Sequence, residues 1–353
     1  MRIEQLTFPR FLAAISIVIF HYGKEVFPFN TDWTSFLFSQ ANVGVSFFFI
    51  LSGFVMVIAY WKKEKILPGR YFLKRFARVY PVCLLAAILL LALTVAEYFL
   101  FAENSDLNFV DFFLSISLLQ AWIPSKALSF NTPAWSITVE CFFYLLFPLL
   151  FNRFYKKFDF KKLITPILLI WLFSQFLLHY LIGSSFYSGH PSMSHSLIFY
   201  FPLMHLNEFL LGNLAALFFI DVLKDKAIKT DIYILLILIL GALALKFNTQ
   251  FSFHNGLLAV LFVPLILFIS SNKGYFSKIT NRSFFVFLGE ISYGVYILQL
   301  PVFMGVKGVF VVLGIDNPML LFYAGILILL IVSFLSYKYV ETPLRNKISA
   351  LRV

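Results

Sequence analysis

Residues 8–23 read FPRFLAAISIVIFHYG, and Arg10 and His21 bracket ten residues of which only Ser16 is polar. Eleven positions of α-helix are just over three turns, so the two side chains lie about 20° apart around the axis and roughly 16 Å apart along it. They share one face at opposite depths of a membrane-grade segment. An anchor at one boundary and an interfacial residue at the other is the plain reading. A chemical pair joined through the depth of a membrane is the sharper one, and the rest of the chain has to choose between them.

The chain has 353 residues, 61% hydrophobic, 20% aromatic and 13% charged, with a mean hydropathy of +0.88. Those values lie outside ordinary soluble composition and describe an all-α polytopic membrane protein. The net charge of +11 does not point to nucleic acid, because the basic residues cluster between apolar runs. Cys83 and Cys141 each sit inside an apolar stretch, which supports neither a disulfide framework nor a metal site. With no cleavage signal legible after the first apolar run, residues 1–353 read as a single membrane-embedded domain.

Span-length runs fall near 8–22, 41–61, 79–101, 134–151, 163–182, 198–221, 231–247, 255–271, 284–306 and 318–340. A further run, 109–123, is bounded by Asp111 and Ile123-Pro124. If it is re-entrant or interfacial, ten transmembrane helices place both termini in the cytoplasm. Of the 28 Lys and Arg, only Lys24, Lys126, Lys246 and Lys307 then fall outside, as the positive-inside rule requires. The outer loops carry Glu97, Glu103, Asp106 and Asp111, and His179, His190, His195 and His254 are expected to be solvated near loops.

Ionisable groups at membrane depth are costly, which makes each a candidate site residue. Glu140 lies early in the fourth run, after Pro133, Trp135 and Ser136; the plain alternative is a helix-start carboxylate favoured by the dipole. Glu208 has His205 one turn before it, a pair equally suited to a buried structural hydrogen bond. Tyr293, Tyr296 and Gln299 recur along one face of the ninth run. Arg75 and Arg78 are one turn apart on the helix leading into the third run, and paired guanidinium groups suit phosphate. Anchoring to anionic lipid is their alternative.

Taken in order, Arg10 with His21, FFFILSGFVM with Ser52, RYFLKRFARVYP with Arg75 and Arg78, WSITVECFFYLLFP, EFLLG, SYGVYILQLP and VETP make the chain resemble the acyltransferase 3 family. The resemblance runs from Arg10 to Pro343 and fits the stand-alone form, without an extracytoplasmic hydrolase-like domain. It implies a multi-pass enzyme of the bacterial inner membrane. Such an enzyme moves an acyl group, usually acetyl, from cytoplasmic acyl-CoA to a hydroxyl of an exported or cell-surface glycan or lipid-linked glycan. On that footing His21 and Glu140 are the catalytic candidates, and Arg10, Arg75 and Arg78 hold the acyl-CoA. Ser52, Trp135, Glu208, Tyr296 and Gln299 are the substrate-binding candidates. No tightly bound cofactor, metal or nucleic acid is implied, and the partners are acyl-CoA, the glycan acceptor and membrane lipids. The family commonly has histidine where this chain has Gln299. Succinyl or longer acyl transfer, a small-molecule acceptor, and a transporter or flippase of lipid-linked glycan stay open as alternatives.

Overall fold

A computed structural model describes residues 3–101, 108–226, 228–247 and 250–351; Glu103 and Asp106 lie outside the described residues. It is a helical membrane protein, and among the described residues the only β pairing is an isolated bridge between Ile228 and Asn272. In chain order the main helices begin with α1 (Thr7–Tyr22), α2 (Gly44–Tyr60), α3 (Pro68–Phe101) and α4 (Phe109–Ile116). They continue with α5 (Ala134–Leu150), α6 (Phe160–Gly183), α7 (Met193–Tyr200), α8 (Leu206–Phe218) and α9 (Asp231–Lys246). The last five are α10 (Ala259–Ser271), α11 (Ser283–Ile297), α12 (Gln299–Val312), α13 (Pro318–Ser336) and α14 (Thr342–Ser349).

Among the described residues, seven elements are long and apolar enough to cross a bilayer, and α11 with α12 makes an eighth if the bent pair counts as one crossing. The sequence runs 231–247 and 255–271 become α9 and α10, of 16 and 13 residues. At 1.5 Å per residue these reach about 24 and 20 Å, short of a hydrocarbon core of about 30 Å. Helix α3 errs the other way: its 34 residues begin well before the apolar run, so Arg75 and Arg78 ride on the same helix that crosses.

The run 284–306 is not one straight helix. It bends by 68° between Ile297 and Gln299. Pro301 has no N–H to offer the carbonyl of Ile297, four residues back, and the Asn131 amide donates to that carbonyl instead at 3.4 Å. Gln299 Nε2 donates to the carbonyl of Tyr296 at 2.7 Å. Side-chain amides thus replace the backbone bonds that the break removes, as irregular backbone away from water requires.

Residues 109–123 do not cross either. Helix α4 has only 8 residues and passes into tight turns in which Leu118 adopts a left-handed φ of 56°. Gln120 in this segment is fully buried and donates to the carbonyls of Ala127 and Asn131. Asp111 and Lys126 close the excursion with an ion pair at 2.7 Å. The expected re-entrant or interfacial segment is therefore a short helix followed by a buried, side-chain-braced return.

At the centre, α2 and α8 cross almost backbone to backbone. A Cβ on Gly53 would strike the carbonyl of Phe209, and one on Gly212 would strike the carbonyl of Ile50. Fully buried Ile50, Phe54, Phe143, Phe147 and Phe209 fill the space around the crossing. Residues 5–10 and 341–345 finish on the same rim: Glu341 is within electrostatic range of Arg10, and Gln5 donates to the carbonyls of Ile269 and Ser270.

Candidate active site

Six residues picked from the sequence line one cavity of about 100 Å³: Arg10 from α1, Ser52 from α2, Arg75 and Arg78 from α3, Glu140 from α5 and Tyr296 from α11. Each reaches it for a local reason. Arg75 and Arg78 share a face because they are one turn apart on α3. Glu140 faces inward because α5 presents it one turn before Tyr144, whose hydroxyl donates to Glu140 Oε1. Ser52 donates to the same oxygen at 3.2 Å, joining α2 to α5.

Arg75 sits among three tyrosines, with its guanidinium carbon 5.4, 5.8 and 5.7 Å from the ring centroids of Tyr60, Tyr71 and Tyr144. Its Nη2 donates to Tyr60 Oη at 3.2 Å, while its Nε is buried with no partner. Arg10 and Arg78 are near enough to repel each other, and among the described residues neither makes a hydrogen bond or an ion pair. The ionised lining is three arginines against one carboxylate. Glu341, of the VETP motif, lies behind Arg10 and Arg78 and pairs with Arg345 at 3.4 Å. A half-buried site with excess positive charge and unused guanidinium donors is built to receive an anion.

At the other end of the cavity Tyr296 and Ser136 bond through their hydroxyls at 2.8 Å. Tyr293, which also lines it, donates to the carbonyl of Val79 at 2.7 Å and accepts from the Cys83 thiol at 2.9 Å, pinning α11 to α3.

The remaining candidates lie elsewhere. His21 is exposed on the last turn of α1 and does not line the arginine cavity; its neighbour Tyr22 stacks on Phe303 of α12 at 3.9 Å. Gln299 is fully buried at the α11–α12 break, its Nε2 engaged with the backbone and its Oε1 without a partner. Glu208 is also fully buried, and its Oε2 lies 2.7 Å from His205 Nδ1, while Oε1 has no partner. Trp135 and Phe49 both pack against His205, with ring centroids 5.3 and 4.9 Å away, and of these only Phe49 lines the cavity.

Three of the four loop histidines are not simply solvated. His179 bonds Gln175 and Ser252, His195 bonds Tyr187 and Tyr200, and His254 bonds Asn42; only His190 is exposed. Tyr60, Tyr71 and Tyr144 were not singled out in the sequence. The i,i+4 spacings of Tyr71 with Arg75 on α3 and of Glu140 with Tyr144 on α5 are the signals the sequence offers, since Tyr60 reaches Arg75 only through tertiary packing.

A family model for an acyltransferase domain matches residues 3–338, the cavity and all of its lining included. The chain belongs to the acyltransferase 3 family. Among relatives of this family member, O-acetyltransferase OatA of Staphylococcus aureus is 23% identical across 98% of this chain and 59% of its own length. Peptidoglycan O-acetyltransferase OatA of Listeria monocytogenes is 26% identical over 96% of this chain and 55% of its own. Acyltransferase MdmB of Streptomyces mycarofaciens is 30% identical over 46% of this chain and 42% of its own. The chain thus spans between half and three-fifths of the two longer-matching relatives. No solved structure matches it significantly.

Proposed function

We propose that this acyltransferase 3 protein is an O-acetyltransferase of the bacterial inner membrane, taking acetyl from cytoplasmic acyl-CoA and placing it on a hydroxyl of an exported or cell-surface glycan. The observation that carries the reading is the convergence of Arg10, Arg75 and Arg78 on a cavity with a single carboxylate. A CoA thioester is polyanionic, and guanidinium groups bind phosphate through paired, charge-assisted hydrogen bonds. The names of the two OatA relatives support acetyl as the group and a cell-wall glycan as the acceptor class.

In this reading the phosphates rest on the arginines and the pantetheine arm runs up the bundle toward His21, roughly 16 Å along α1 from Arg10. The acceptor oxygen attacks the thioester carbonyl carbon and the carbon–sulfur bond breaks. The hydroxyl proton passes to the His21 imidazole and from there to the departing CoA sulfur. An acyl-histidine intermediate would give the same products through two displacements. Glu140, held by Ser52 and Tyr144, shapes the wall along which the arm passes.

Purified protein incubated with radiolabelled acetyl-CoA and a soluble glycan fragment should yield labelled glycan and free CoA thiol in equal amounts. Movement of lipid-linked glycan across proteoliposomes with no thiol release would overturn the reading in favour of a flippase.

A further inference from the structure

A second hollow meets the arginine cavity. A groove of about 480 Å³ between α3, α5 and the return after α4 shares Arg75 and Tyr144 with it. Along α3 it runs from Phe72 to Tyr80, about 12 Å of helix. That is less than half of a hydrocarbon core about 30 Å thick, so the groove matches a tail from one leaflet. Phe76, Leu119 and Leu145 on its walls are 48, 50 and 63% exposed, and it therefore opens sideways on lipid. Among the described residues that line it, only Arg75 is charged. The half-buried guanidinium has five N–H donors and spends one, on Tyr60. Behind it the cavity adds Arg10 and Arg78 against the single carboxylate of Glu140.

The joined hollows describe a molecule with a compact anion, a short linkage and a hydrocarbon tail that enters from the bilayer. We infer that an anionic phospholipid binds here, with its phosphate on Arg75 and one acyl tail running past Val79 and Cys141 beside Trp122. Basic pockets between membrane helices hold acidic headgroups in this way. A zwitterionic headgroup is disfavoured, because its ammonium would face the excess of guanidinium charge. Anchoring at the membrane surface would leave the arginines free to serve a donor. A lipid in this groove takes the guanidinium that the donor's phosphates need, so it leaves Arg75 as acyl-CoA arrives. That exchange rests on the acyl-CoA reading above, whereas the lipid site does not.

The test places the purified protein in phosphatidylcholine nanodiscs and uses Trp122, on the groove wall, as the reporter. Dibrominated phosphatidylglycerol should quench tryptophan fluorescence more than dibrominated phosphatidylcholine at the same mole fraction. The excess should vanish in Trp122→Phe. In Arg75→Gln the mole fraction giving half of it should rise by about tenfold or more, as loss of a charged hydrogen bond implies. Saturating acetyl-CoA should remove the excess from the wild type. Equal quenching by the two lipids, or an excess unchanged in either variant, would overturn the lipid site. An excess that persists with acetyl-CoA bound, as titration calorimetry would show, overturns the exchange alone. Failure of acetyl-CoA to bind in discs of pure phosphatidylcholine would overturn the donor reading and the exchange with it. If a variant does not fold, the wild type decides: exchanging matrix phosphatidylcholine for unbrominated phosphatidylglycerol should relieve quenching by the brominated form, and no relief would overturn the site.

Discussion

Arg75 differs from Arg10 and Arg78 in being already held, by Tyr60 and a cage of rings, with its buried Nε still without a partner. Such a guanidinium enters a phosphate contact with its orientation set in advance. Arg75→Ala and Arg78→Ala should each weaken acyl-CoA binding by about 1.5–3 kcal/mol, the range for hydrogen bonds to charged groups, as isothermal titration would measure. Lysine at either position should restore only part of that, because a point charge lacks the fork. His21 and Gln299 separate along a different line. His21→Ala should lose on the order of 10²–10⁴ in turnover if its imidazole is the base. Gln299 caps the carbonyl of Tyr296, so Gln299→Ala should appear mainly as lost stability, about 1–3 kcal/mol for the buried carbonyl it leaves unpaired. Thermal melts set beside initial rates would distinguish the two, and a Gln299→Ala protein with full stability and a dead rate would reverse the assignment.

Among the elements, the crossing of α2 and α8 and the break between α11 and α12 do most to place the cavity. The crossing depends on Gly53 and Gly212, which let each helix reach the other's backbone. Gly212→Ala should cost at least the 1–3 kcal/mol typical of overpacking, because the added carbon meets a backbone carbonyl that has no rotamer to escape into. A detergent melting curve that does not shift would show that the helices part more easily than their packing implies. The break turns α11 away from α12 just beyond Tyr296, which leaves that hydroxyl on Ser136 and the cavity bounded at this end.

On the scale of the whole molecule, the proposed cytoplasmic donor requires the arginine cavity to open on the cytoplasmic side. Reporters fused after residue 157 should read cytoplasmic and after residue 190 external, and a cytoplasmic signal at 190 would strand the donor site. The amino-acid sequence alone determined the helical, polytopic class, the non-crossing segment 109–123, and six of the residues that line the cavity, its three arginines and its carboxylate among them. Apolar run length, the placement of basic residues, and the cost of charge at depth are all local properties of the chain. Tertiary structure alone decided that Tyr60 and Tyr144 close around Arg75, that Gln299 serves a broken helix, that Glu208 is fully buried outside the cavity lining, and that His21 lies outside the arginine cavity. Those outcomes depend on how helices far apart in sequence rotate and bend against one another. That is settled by side-chain volume and by which freed carbonyls find a donor, and neither is written in the periodicity of a single helix.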